Sequence, residues 1–312
     1  MTEHKTDWFH DCRWGVFIHY LNGVQNNPER GVEALPWSEH VEALDVERLA
    51  EQLERANAGY LVLTIQQRTA NLCVPSARFD EISGYAAGEK CARRDLVMDL
   101  YNVLSRRGIE LLLYFTGDGP MDDPQAGAAF GYTSHAAPVS MDFVYKWASV
   151  LEELSVRYGR RIKGWWLDGC HPCIGYDAEK CGIYAEAIRG GNPDAVISFN
   201  ASVVENVESF SSCDDFTAGE RNWFDDMPKG RFLGNTQWHL LSFLGYDDRD
   251  FQVHAGWGRP NCKYSPEYIH DFVAAAVARG GVVSVDVFMD RYGNIAPKHR
   301  EVLEALRDIR EI

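Results

Sequence analysis

Short apolar runs alternate with amphipathic runs along the first two thirds of the chain. WGVFIHY (14–20), YLVLTI (60–65), IELLLYF (109–115), IKGWWLD (162–168) and AVISFN (195–200) have strand length and almost continuous apolar character. Between them, DVERLAEQLERAN (45–57), RDLVMDLYNVLSRRG (94–108), SMDFVYKWASVLEELSVRYG (140–159) and AEKCGIYAEAIRG (178–190) place apolar residues three and four apart, the period of one helical face. Ser140 is positioned to cap its helix, and Gly108 and Gly159 to end theirs. Beyond residue 200 the pattern blurs. ESFSSC (208–213) and GRFLGN (230–235) are read as strands six and seven. A helix SPEYIHDFVAAAVARGG (265–281), an eighth strand VVSVDVF (282–288) and a closing helix PKHREVLEALRDIR (297–310) follow.

Eight strands separated mostly by helices predict an α/β fold, a (β/α)8 TIM-like barrel forming a single domain over residues 1–312. Strands apolar on both faces suit a parallel sheet covered on both sides. An open doubly wound sheet is disfavoured, because no strand runs directly into a glycine-rich phosphate loop. No linker, repeat or low-complexity tract divides the chain.

Composition narrows the partners. The formal net charge is −15, which repels a phosphate backbone and excludes nucleic acid. No apolar run reaches about eighteen residues and no signal-like N-terminus is visible, so no membrane association and a cytoplasmic location are expected. Eight cysteines in 312 residues do not make a disulfide framework and are read as small core residues. CHPC (170–173) with Cys181 offers zinc-type ligands but lacks a second closely spaced pair, so neither a metal nor a cofactor is expected.

In such barrels the site lies at the C-terminal ends of the strands. Those ends carry His19 and Tyr20; Thr64, Gln66, Gln67 and Arg68; Tyr114, Thr116 and Asp118; Asp168; and Asn200. Further on they carry Asp214, Asp215 and Glu220; Gln237, Trp238 and His239; and Asp286. Carboxylates and amides for hydroxyl groups, with aromatic rings for apolar faces, suit a small glycoside or oligosaccharide. Trp37, Trp166 and Trp238 are candidates to stack on a sugar ring.

Several ordered segments resemble glycoside hydrolase family 29, the α-L-fucosidases: DWFHDCRWGVFIHY (7–20), ANAGYLVLT (56–64), RRDLVMDLYNVLSRRGIELLLYF (93–115), VLEELSVRYGRRIKGWWLDG (150–169), DDFTAGER (214–221) and ARGGVVSVDVFMDRYGNIAP (278–297). The resemblance implies Asp168 as the nucleophile of a retaining exo-glycosidase and His19 as a ligand of the sugar or of the nucleophile. Retaining glycosidases pair the nucleophile with a second carboxyl that acts as acid and then base. Glu220 is the first candidate for that role, with Asp215 and Asp214 as rivals. The remaining substrate-binding candidates are Tyr20, Trp37, Gln66, Gln67, Tyr114, Trp166, Asn200, Asp215, Trp238 and His239.

The chain also departs from the family pattern. Gln66 and Gln67 replace a histidine pair, Tyr20 replaces a tryptophan, and Val282 follows Gly280 and Gly281 where asparagine is usual. An altered sugar specificity is therefore expected, and a non-catalytic sugar-binding descendant stays open as an alternative. A metal-assisted sugar-acid enzyme ranks last. The β-sandwich that commonly follows the barrel is not in this sequence, so self-association that shields the exposed flank is expected.

Overall fold

Parallel strands curl around a column of aromatic side chains. The computed structural model describes residues 4–132, 137–246 and 256–311. Its strands are β1 (Trp14–Ile18), β2 (Tyr60–Thr64), β3 (Glu110–Thr116), β4 (Gly164–Asp168), β5 (Val196–Phe199), β6 (Phe232–Leu233), β7 (Thr236–Gln237), β8 (His239–Phe243) and β9 (Val282–Asp286). Seven form one all-parallel sheet in the order β5-β4-β3-β2-β1-β9-β8, while β6 and β7 pair apart as a small antiparallel hairpin. This curled parallel sheet is consistent with a TIM-like barrel.

Helices pack on its outer face. Their starts follow the expected chemistry: the side chains of Asp45, Asp95, Ser140 and Ser265 each accept a backbone N–H three residues on. Strand parity separates two cores. Trp14, Val16 and Ile18 of β1 face the helices, whereas Phe17 faces inward with Tyr60, Val62, Leu112, Tyr114 and Trp166.

The region after residue 200 differs from the sequence reading. Residues 208–213 form no strand, and 230–235 supply only the short β6. The strand after β5 in the large sheet is HLLSF, β8, whose His239 and Ser242 conceal an otherwise apolar run. Beside β8 runs 215–221. Thr217 N donates to Gln237 O at 3.0 Å, Leu241 N to Gly219 O at 2.9 Å and Arg221 N to Leu241 O at 2.9 Å. Toward β5, Asp215 N donates to Ile197 O at 2.8 Å, while the carboxylates of Asp215 and Asp214 accept from the N–H groups of Ile197 and Phe199. Side-chain oxygens thus stand in for ladder carbonyls. Gly219 makes the close approach to β8 feasible: its φ is +59°, and a Cβ there would lie 2.0 Å from the His239 carbonyl oxygen.

Inside the sheet, a Cβ on Gly15 would lie 2.4 Å from the ring of Tyr60, which is fully buried. The Gly15→Ala variant is expected to be about 1–3 kcal/mol less stable, because the ring cannot retreat within a close-packed interior. Urea unfolding measures this, and a wild-type midpoint would contradict the packing described.

Candidate active site

The C-terminal ends of β1, β3, β4 and β9 are in register and bring their last side chains to one mouth. Thr116 pairs with Asp168, and Phe17 with Asp286. A cavity of about 290 Å³ opens there, lined by His19, Gln67, Tyr114, Trp166, Asp168 and Glu220, with Phe17, Leu21, Leu241 and Trp257 among its apolar walls.

Asp168 is held from two sides. Tyr114 Oη donates to Oδ2, and Asn200 Nδ2 donates to Oδ1 at 2.8 Å. The same Asn200 nitrogen donates to Glu220 Oε2 at 2.5 Å. One amide group therefore ties the two carboxyls together. With distances of 2.8 and 2.5 Å to a shared nitrogen, the two oxygens can be no more than about 5.3 Å apart. Gln67 Nε2 donates to Tyr114 Oη at 2.7 Å, which turns the phenol's own proton toward Asp168. The Tyr114 ring is stacked on Trp166, with centroids 5.4 Å apart and planes 17° from parallel.

Burial and the neighbouring Asp168 charge push the Glu220 carboxyl up to about 7. At neutral pH it is divided between acid and carboxylate. Asp118, buried behind Gly169, is pushed up to about 8 by the same two causes, so it stays mostly protonated and adds little charge beside Asp168. His19 Nδ1 donates to Asp286 Oδ1 at 2.6 Å, which leaves Nε2 as the nitrogen available to a ligand. The backbone N–H of Gly258 donates to the other Asp286 oxygen at 3.3 Å.

Residues 40–308 match the family profile described as Alpha-L-fucosidase. The chain belongs to this family. Its relatives of known structure share the fold at low identity. A bacterial fucosidase bound to a phenyltriazole dihydroxymethylpyrrolidine inhibitor has a TM-score of 0.68 and 17% identity, with 99% of this chain and 73% of that one covered. A Bacteroides thetaiotaomicron α-L-fucosidase of glycoside hydrolase family 29, solved as a trapped covalent intermediate, gives 0.67 and 16% over 99% and 74%. An endo-fucoidan hydrolase of glycoside hydrolase family 107 gives 0.71 and 12% over 98% and 93%. No curated protein sequence matches the chain.

Several residues expected at the mouth of this α-L-fucosidase family member lie elsewhere. Tyr20 has the parity of Ile18, so its ring turns outward to His40 and Trp37, and its hydroxyl donates to the His40 carbonyl at 2.9 Å. Trp37 is buried in the same outer core and donates to Leu72 O at 2.6 Å. The amide of Gln66 is fully buried: Nε2 donates to the carbonyls of Thr69 and Gly119, and Oε1 accepts from Thr116 Oγ1 at 2.6 Å. Of the two adjacent glutamines, only Gln67 reaches the cavity.

Asp215 sits at the opposite end of the sheet, where it accepts from Ile197 N and pairs with Lys5 at 2.8 Å and Arg189 at 3.3 Å. Its neighbour Asp214 accepts from the backbone of Phe199, Phe210 and Ser211. Trp238 and His239 lie where the chain enters β8, not past the C-terminal end of a strand of the large sheet. Trp238 packs in the outer core against Gly281. His239 is buried in the floor, with Nδ1 donating to Thr217 O and Nε2 accepting from Ser284 Oγ, both at 2.8 Å. Burial pushes its imidazole down to about 4, so it stays neutral.

Trp257, Leu21, Val24 and Arg30 line the cavity without having been anticipated. The Trp257 ring meets His19 at 5.4 Å and Phe243 at 4.6 Å. The GWG sequence around Trp257 was the only signal for it. In the CHPC stretch, Cys170 is buried, His171 Nδ1 engages Ala201 O at 2.7 Å and Cys173 is exposed. Among the described residues, no group of three or more His, Cys, Asp or Glu is placed to hold a metal ion.

Proposed function

We propose that the chain is a retaining exo-glycosidase acting on an α-L-fucoside or a related deoxyhexoside, with Asp168 as nucleophile and Glu220 as acid and base. The observation that carries this reading is the pair of carboxyls joined through Asn200, at a spacing that suits double displacement rather than direct attack by a water held between them. Asp168 attacks the anomeric carbon while protonated Glu220 gives its proton to the departing oxygen. The aglycone leaves, and the sugar is esterified to Asp168. Glu220, now a carboxylate, takes a proton from water, and that water's oxygen displaces Asp168. His19, oriented by Asp286, and Gln67 bind the sugar hydroxyls, and Trp166 and Trp257 cover its apolar side. The covalent intermediate named for the Bacteroides relative, trapped with a glutamate-to-glutamine substitution, supports the two-step scheme. In this reading 215–221 takes the sixth place in one closed barrel domain.

Hydrolysis of a panel of 4-nitrophenyl glycosides that includes the α-L-fucoside tests the proposal, with the anomer first released identified by NMR. Retained configuration is the expected result, and inverted product would overturn the scheme. The burial of Gln66 away from the cavity favours a related deoxyhexoside over fucose itself, and a site that only binds is the second reading. Binding with no turnover on any member of the panel would select the latter.

The Tyr114→Phe variant removes one donor to Asp168 and breaks the chain from Gln67. It is expected to lower kcat by about 10- to 100-fold with a smaller change in KM, because the hydrogen bond orients the attacking carboxylate. A change confined to KM would assign Tyr114 to sugar binding instead.

No helix among the described residues is long and apolar enough to cross a membrane.

A further inference from the structure

Asn200 stands between the two carboxyls and between the elements that carry them. It follows β5, which has β4 and its Asp168 on one side and 215–221 with Glu220 on the other. Its backbone is bonded to both flanks of Asp168: Asn200 N donates to Leu167 O at 2.7 Å, and Asn200 O accepts from Cys170 N at 3.0 Å.

The amide can face only one way. The two side-chain atoms it meets, Asp168 Oδ1 at 2.8 Å and Glu220 Oε2 at 2.5 Å, are acceptors, so the NH2 group and not the oxygen must point at them. Asn200 Oδ1 is left to accept from Ser202 N at 3.4 Å. Ser202 holds a φ of +140°, which residues other than glycine rarely adopt, so the loop keeps a strained residue where it orients the amide. Nδ2 has two protons, and each goes to one carboxyl. None remains for a ligand. The residue is only 2% exposed and does not line the cavity.

Donation to Glu220 Oε2 has two consequences. A hydroxyl oxygen of a carboxylic acid accepts less well than its carbonyl oxygen, so the acid proton is carried on Oε1. The bond also favours the carboxylate form, against burial and the Asp168 charge, which favour the acid. The other titratable or charged groups around the same cavity are Tyr114 on β3, His19 after β1 and Arg30. Of these, the His19 charge acts on Glu220 in the same sense as Asn200.

We propose that Asn200 is a positioning residue and not a sugar ligand: its one amide group holds Asp168 and Glu220 at their spacing and eases release of the Glu220 proton. Its part in a reaction rests on the glycosidase reading; its hold on the two carboxyls does not.

The test is an NMR titration of the full chain with 13C-labelled glutamate carboxyls, the Glu220 signal being identified by its loss in Glu220→Gln. In Asn200→Ala the Glu220 midpoint is expected about one pH unit above that of the wild type, a roughly tenfold tighter hold on the proton. Asn200→Ser, whose single hydroxyl proton can serve only one carboxyl, is expected to fall between the two, and the thermal midpoint of each variant confirms the fold. The wild type supplies a check that needs no change at position 200: the two Nδ2 protons of Asn200 are expected to shift as Glu220 titrates. On a glycoside that the wild type hydrolyses, Asn200→Ala is expected to move the alkaline limb of kcat/KM upward with the midpoint. It is also expected to lower kcat about 10- to 100-fold while KM changes by less than about threefold. A Glu220 midpoint that stays or falls, Nδ2 protons indifferent to the titration, or a loss confined to KM would overturn the proposal. The expected titration in a chain that hydrolyses no glycoside would leave the hold on the carboxyls standing and remove only its part in a reaction.

Discussion

The Asp168→Asn variant is expected to lose at least about 10⁴-fold in kcat on any glycoside the wild type hydrolyses, while sugar binding persists. The side chain stands at the end of a strand, fixed by Tyr114 and by Asn200, and lines the cavity. Its role in the proposed scheme is to form a bond, and an amide oxygen is too weak a nucleophile to form it. The substitution also places an NH2 group where two donors already point, so one of the two hydrogen bonds to position 168 must be given up. Because unfolding would also abolish activity, Asp168→Gly is the companion variant. With the carboxylate gone and a gap left behind, added azide is expected to attack from the same side and restore cleavage of an activated aryl glycoside. The product would be a glycosyl azide of inverted configuration, visible by NMR. Residual activity above about 1% in Asp168→Asn, with no azide product in Asp168→Gly, would place the nucleophile elsewhere.

Much of the architecture was legible because the first five strands bury both faces, and such runs read plainly as apolar. The strand ends gave Asp168, Tyr114, Asn200 and His19 for the same reason: a polar residue that closes an apolar run in a parallel sheet faces the mouth. Which polar residue faces inward is decided by parity, and there the reading fell short. Tyr20 follows His19 by one residue and therefore turns to the helices. Gln66 precedes Gln67 by one residue, and the chain bends after Thr64 so that Gln66 secures backbone carbonyls. On β8 and β9 His239 and Ser284 face the interior and Ser242 the helices, so β8 looked like a loop and its first residue like a strand end. The sixth position was harder still, because Asp214 and Asp215 replace backbone acceptors along β5. Carboxylates of that kind look like site residues until their partners are known.

Glu220 gives the second large effect, and its sign follows from the Asp168 charge. In the free enzyme, burial and the Asp168 carboxylate hold the proton on Glu220 up to about pH 7. General-acid catalysis needs that proton, so kcat/KM is expected to be sustained below this value and to fall as pH rises through it. In the proposed scheme the sugar is then esterified to Asp168, and that charge is gone. The Glu220 acidity then shifts back toward the ordinary carboxylate range, which suits the base that the second step requires. Glu220→Gln is expected to cost about 10²–10⁴-fold on substrates with poor leaving groups and to remove the alkaline limb. With 2,4-dinitrophenyl glycosides, which leave without a proton, the first step persists and the variant is expected to show a burst followed by slow hydrolysis. Stability supplies an independent check. A carboxyl whose folded pKa is raised binds its proton in the folded state after the unfolded chain has lost it, so its contribution is complete below about 4.5 and is lost as pH rises toward about 7. The thermal midpoint of the wild type should therefore fall relative to that of Glu220→Gln across this window. Other buried acids such as Asp118 titrate in both proteins and cancel in the comparison. An alkaline limb that survives in Glu220→Gln would move the acid to another carboxyl. A midpoint difference that stays flat with pH would mean that Glu220 is ionised throughout.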